Sequence, residues 1–445
     1  MKIWQKIKTW NGSIKITQYR FLGFTVLHKE KSEYQKVYRF LGIVFSKKIS
    51  DSGTKFNKKN IEEYGKWLKD VKTNKSLFVP FTENPYKRKK GDVKIFAYYL
   101  SQFHSIPEND EVHGKGFTEW NNVASTTPAF IGHYQPKIPY DLGFYNLLMP
   151  EVLRRQVEIA KTYGIYGFCF YYYWFNGTKV LDTPLRNFLN SDIDFHFHFF
   201  WANETWSSRW QGGSKDIILE QVYDKEKFEQ FFYDMLPYLK DQRYEKINNK
   251  PILMIYYPED MERDLFVLFS DTLNRLAREN GFDGMYLTAV FDFKKDKQFL
   301  QNYKLDGLTE FYPFGLKNKL KQMKKPIISK EMSLTIHDLH KFIKTEKHLF
   351  DTDYDLYKCA CPNWDNSPRK LYSHADMYHI EEGDFAKWLK DNIKWTEKHN
   401  DSSKQYTYIN AWNEWGEGAV LEPTVRYGYK DLQALKDVLE SLVNS

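Results

Sequence analysis

From residue 94 onward, short runs rich in Phe, Tyr, Trp and β-branched residues alternate with longer stretches of helical periodicity. That alternation narrows the choice of fold, because strands separated by helices form βα units around a parallel sheet. Eight runs qualify as strands: Lys94–Leu100, Gly167–Tyr173, Phe195–Trp201, Pro251–Tyr257, Met285–Val290, Gly307–Phe311, Leu356–Cys361 and Tyr406–Ala411. Several are near-continuously apolar, as strands covered on both faces are. Helices fit between them. Pro150–Tyr163 opens with proline and stops before Gly164, and Leu265–Asn280 stops before Gly281. The reading is an α/β chain with a (β/α)8 TIM barrel carrying insertions. A doubly wound open sheet shares the alternation, but no Gly-x-Gly-x-x-Gly follows the first strand.

The first 90 residues have a different character. They hold 22 Lys and Arg against 7 Asp and Glu, whereas the rest of the chain is net acidic. A boundary near residue 91 follows, with a basic N-terminal arm over 1–90 and the barrel over 91–445. The arm contains an echo, Tyr19–Phe24 and Tyr38–Ile43, each an apolar β-prone run near lysines. Two readings stay open: a small β element resting on anionic lipid or a partner protein, or a solvated basic extension with a local hairpin. Residues 57–75 read as an amphipathic helix. No nucleic-acid recognition motif accompanies the basic residues, which points away from that partner class. The N-terminus lacks a secretory apolar core, and no run reaches the ~18 apolar residues of a spanning helix. The expectation is a cytoplasmic protein, or one held peripherally at the inner face of the cell membrane by residues 1–90. Cys169, Cys359 and Cys361 lie in apolar runs without disulfide or zinc-ligand spacing. No metal or cofactor is expected. The acidic pattern Asp351-Thr352-Asp353-Tyr354-Asp355 lacks any diphosphate-binding context for a metal-dependent nucleotide-sugar site.

In a barrel the chemistry sits where strands end. The first candidate strand contributes Tyr99, Gln102 and His104, then Glu119 and Trp120 from a long loop. The second contributes Tyr173 and Trp174, and the third Trp201, Asn203, Glu204, Trp206, Arg209 and Trp210. Glu310 follows the sixth strand, and Trp364 and Asp365 follow the seventh. After the eighth come Trp412, Asn413, Glu414, Trp415 and Glu417. Aromatic faces stack on sugar rings, amides and carboxylates bond hydroxyls, and two carboxyl groups serve acid–base cleavage of a glycosidic bond. Glu414 and Glu417, framed by Trp and Gly, are the candidate catalytic pair, and the others are candidate substrate contacts. A non-catalytic glycan-binding barrel is the competing reading from a different class.

Several motifs occur in order: Tyr98–Pro107 (YYLSQFHSIP), Gly116–Asn121 (GFTEWN), Gly132–Pro136 (GHYQP), Asp141–Tyr145 (DLGFY) and Gly167–Gly177 (GFCFYYYWFNG). Trp201–Trp210 (WANETWSSRW), Trp364–Arg369 (WDNSPR) and Asn410–Pro423 (NAWNEWGEGAVLEP) continue the series. With them the chain resembles the WbsX-type glycosyltransferases of bacterial polysaccharide gene clusters, which carry a domain like glycoside hydrolase family 99. The resemblance does not cover the arm. It implies a (β/α)8 enzyme, forming glycosidic bonds in lipopolysaccharide O-antigen or capsule assembly on an oligosaccharide or lipid-linked glycan. The alternative it implies is a retaining endo-acting α-mannosidase-like hydrolase using the same pair. By that resemblance Glu414 is the base toward a neighbouring 2-hydroxyl and Glu417 the general acid, through a 1,2-anhydro sugar and without a metal. Gly416 departs from the pattern, since the mannosidases have His there, which puts mannose specificity in doubt.

Overall fold

A computed structural model describes residues 4–11, 14–21, 24–31, 35–40, 43–48, 58–207, 217–324, 333–370 and 373–443. Two compact units divide the chain, residues 1–69 and residues 70–445.

In the first unit, strands Trp4–Asn11, Ile14–Phe21, Phe24–Lys31, Gln35–Phe40 and Ile43–Lys48 pair antiparallel, each with the next. The echoed Tyr-Arg-Phe closes the second and fourth strands of this meander. An amphipathic helix, Lys58–Thr73, follows. The boundary lies earlier than the sequence reading places it, because residues 74–90 are bonded into the barrel unit. Val79 N–H donates to the Tyr427 carbonyl at 3.1 Å, and Tyr86 N–H donates to that of Thr162 at 2.8 Å.

The second unit is a closed barrel of eight parallel strands. In chain order they are Lys94–Tyr99, Gly167–Phe175, His196–Trp201, Lys250–Ile255, Tyr286–Val290, Gly307–Thr309, Asp355–Ala360 and Tyr406–Ile409. Each pairs with the next, and the eighth closes on the first through Tyr406–Lys94 to Ile409–Ala97. All eight expected runs are barrel strands, and the sixth is the shortest. Helices follow the strands, among them Pro150–Tyr163, ended by left-handed Gly164, and Arg263–Glu279. A four-stranded sheet built from the loops after the sixth and seventh strands covers one side of the mouth.

Aromatic residues fill the barrel interior instead of the usual branched aliphatics. Tyr98 stacks on Tyr408 at 5.4 Å, and Phe200 meets Tyr171 and Phe311 at 5.4 Å each. Such bulk needs compensation nearby. A Cβ on Gly167 would lie 2.4 Å from the Phe96 ring and 2.5 Å from the His196 carbonyl. Among the described residues no helix is long and apolar enough to cross a membrane.

Candidate active site

The eighth strand leads into a tight hairpin in which Asn413 pairs with Val420 and Glu414 with Ala419. Between them Trp415–Glu417 form a single 3-10 turn, closed by Gly418 at φ 63°. Residues three apart eclipse in 3-10 geometry, so Glu414 and Glu417 share one side of the turn. The hairpin is tied down from both ends. The Asn413 amide accepts from Leu100 N–H at 2.7 Å and donates to the Leu100 carbonyl at 2.9 Å. The buried Trp415 indole donates to Glu422 at 2.7 Å.

Arg369, on a 3-10 turn Ser367–Lys370 after the seventh strand, binds three carboxylates at once. Its Nε donates to Glu119 at 2.7 Å, Nη1 to Glu417 at 2.7 Å and Nη2 to Glu414 at 2.9 Å. Trp364 Nε1 donates to the other Glu417 oxygen at 3.2 Å. Glu119 opens a helix, Glu119–Ser125, whose capping box through Thr118 and Asn121 fixes the turn that presents it. A Cβ on Gly416 would sit 1.7 Å from Glu119 Oε1 and 2.9 Å from Arg369 Nε. The ion pair therefore occupies the space that a side chain at position 416 would take.

Burial pushes the Glu414 carboxyl up; Arg369 opposes this, while Glu417 and Glu119 add to it, and the net direction is up. Glu204, after the third strand, is raised to about 8 by burial and then by Asp260 and Glu417. Both carboxyls thus lie above the usual carboxylate range.

These groups line one cleft at the C-terminal mouth of the barrel. Its floor is Tyr171, Phe200, Tyr256 and Phe311, and Tyr173 and Trp206 make an aromatic wall. Gln102, Glu119, Glu204, Arg369, Glu414 and Glu417 supply the polar lining. Apolar faces with a few convergent polar groups suit a glycan.

Other residues expected at the site lie behind it. Tyr99 donates to Gln156 at 2.7 Å on the barrel's outer side, and Trp174 donates to Asp234 at 3.0 Å. Trp201 packs between Phe231 and Phe269, and Trp412 packs against Phe168. Trp120 donates to the Tyr145 carbonyl at 2.8 Å, and His104 is buried with Nδ1 3.1 Å from the Ser105 carbonyl. Asn203 bridges to Tyr257 N–H and carbonyl at 2.9 and 2.7 Å, while Glu310 is wholly buried against Lys358. Asp365 holds His133 at 2.6 Å, Gln135 at 2.7 Å and Ser367 N–H at 3.0 Å, which steadies the turn bearing Arg369. Asn413 and Trp415 brace the Glu414–Glu417 hairpin as described. None of these lines the cleft. Apart from His104, whose Nε2 is buried without a hydrogen-bond partner, each bonds its polar atoms to, or packs its ring into, the scaffold. Arg209 and Trp210 lie outside the described residues.

Arg369 and the aromatic floor were missed. The arginine ends the WDNSPR motif, and the signal available was a cation among strand-end motifs rich in glutamate. The floor residues lie within or just past strands and read simply as core.

The family model described as glycosyltransferase WbsX matches residues 95–435. The chain belongs to the WbsX family. Two WxcX proteins, themselves described as uncharacterized, are 34% identical over 346 residues, 78% of this chain and 49% of theirs. They come from Xanthomonas campestris pv. campestris strains B100 and ATCC 33913. The chain thus spans about half the length of the curated relatives it matches. Among solved structures, a glycoside hydrolase-like protein superposes with TM-score 0.51 at 12% identity, covering 82% of this chain and 98% of that one. A GH99 endo-alpha-mannosidase from Bacteroides thetaiotaomicron gives 0.47 at 12% identity, over 79% and 96%. The glycoside hydrolase-like structure shares the barrel fold with this WbsX chain.

Proposed function

We propose that this WbsX protein forms glycosidic bonds in the assembly of a bacterial surface polysaccharide, with Glu414 and Glu417 as its catalytic pair. The observation that carries the reading is two glutamates on one turn, clamped by Arg369, facing an aromatic cleft. The donor's 2-hydroxyl gives its proton to Glu414 as O2 attacks C1. The bond from C1 to the leaving oxygen breaks, and Glu417 protonates that oxygen. An acceptor hydroxyl then opens the 1,2-anhydro sugar at C1, losing its proton to Glu417 while Glu414 returns one to O2. Configuration is retained, and the pair ends as it began.

The raised Glu414 bears on the assignment of roles. Burial holds the Glu414 carboxyl above the usual carboxylate range, whereas a base toward the 2-hydroxyl must be ionised. A sugar hydroxyl donating to Glu414 favours its ionised form. The second reading exchanges the roles, with Glu414 as acid and Glu417 as base.

Glycosyl fluorides separate the two, because fluoride leaves without general-acid help. Under the first reading Glu417→Gln keeps single-turnover fluoride release from a hexosyl fluoride and Glu414→Gln loses it; under the second the pattern reverses. Supplying glycan acceptors and weighing the products by mass spectrometry tests the reaction class. Sugar–acceptor adducts support transfer, and free sugar alone would make the protein a hydrolase.

A further inference from the structure

We propose that one face of the N-terminal meander is a docking surface for an anionic lipid bilayer. Successive residues of a strand alternate faces, so the register decides which positions share one. Followed across all five strands, it aligns Trp10, Lys15, Lys31, Lys36 and Lys47 in a single row. Four lysine positions thus occupy one row across adjacent strands. The next row on that face is Lys8, Thr17, Lys29, Tyr38 and Phe45. A third is Lys6, Tyr19, Leu27, Phe40 and Ile43, and Trp4, Phe21 and Phe24 form the far edge.

The face therefore grades from lysine to aromatic, and no acidic residue occupies any of these positions. The opposite face differs in kind. There Arg20 donates to Gln18 at 3.0 Å, Gln18 meets His28 at 3.2 Å, and His28 meets Glu30 at 2.7 Å.

Lysines close to an anionic leaflet gain from its surface potential, and Trp, Tyr and Phe settle at the boundary between headgroups and acyl chains. A nucleic acid would satisfy the lysine row but leave the aromatic rows in water. A bilayer satisfies both, and Phe21, 37% exposed, lies at the apolar edge.

The test is sedimentation of the full-length protein with vesicles of mixed phosphatidylglycerol and phosphatidylcholine, beside phosphatidylcholine alone. Two variants remove equal charge from opposite faces, Lys15/Lys36/Lys47→Gln and Arg20/Arg39/Lys48→Gln. The first should weaken partition to anionic vesicles by about 100-fold, while the second changes it little. The first variant should keep its far-ultraviolet spectrum. Phe21→Ser, which leaves the net charge unaltered, should weaken binding several-fold. Equal losses from the two charge variants would overturn the proposal, as would equal binding to phosphatidylcholine alone. So would failure to bind anionic vesicles, including the case where the same lysines retain a DNA duplex.

Discussion

At Arg369 a single guanidinium bonds three carboxylates and opposes the burial that raises the Glu414 carboxyl. A cation beside a carboxyl favours its charged form and lowers its pKa. Replacing Arg369 with Met removes that effect and lets the Glu414 pKa rise further. The limb of the kcat/KM profile that follows Glu414 should move upward, and Arg369→Lys should restore part of the shift. Gly416→Ala tests the same cluster sterically, because the new Cβ falls 1.7 Å from Glu119. Pushing Glu119 off Arg369 should lower activity about as much as Glu119→Gln does, with the melting temperature nearly unchanged. An unaltered rate would show that the Glu119 contact is idle.

At the scale of elements, the turn that carries Arg369 depends on Asp365. Burial acts to raise this carboxyl, but His133 and Gln135 outweigh it and bring it down to about 2. A depressed folded-state pKa contributes stability that is complete above the unfolded value of about 4. It is lost as pH falls from there through about 2. Asp365→Asn should cost roughly 3 kcal/mol at neutral pH, read from urea denaturation, and flatten the acid limb of the stability profile. The strands were the most legible elements, since each is an apolar run bounded by helical pattern or turn residues. The boundary of the arm was less so. Lys87–Asp92 reads as a linker by composition, yet Arg88 donates to the Gly164 carbonyl at 3.2 Å and ties that segment to the barrel. Contacts so distant in sequence leave no local signal.

For the molecule as a whole, the barrel and the Glu414–Glu417 turn were readable because strand-end position and motif agree. Side-chain direction was not. Trp201 and Trp174 sit at or near strand ends like Tyr173, yet they face helices while Tyr173 faces the cleft. Strand parity separates them only once the closed barrel fixes which face is inside. The same closure gathers Glu119, Arg369 and Glu417, residues that stand 250 and 48 positions apart along the chain. The measurement that bears most directly on the central claim is glycosyl turnover by wild type, Glu414→Gln and Glu417→Gln. Mannose- and other hexose-containing oligosaccharides serve as donors, with glycan acceptors present. The account predicts that each substitution lowers turnover by about 10²–10⁴ while the fold is kept. Undiminished turnover in either variant would contradict it.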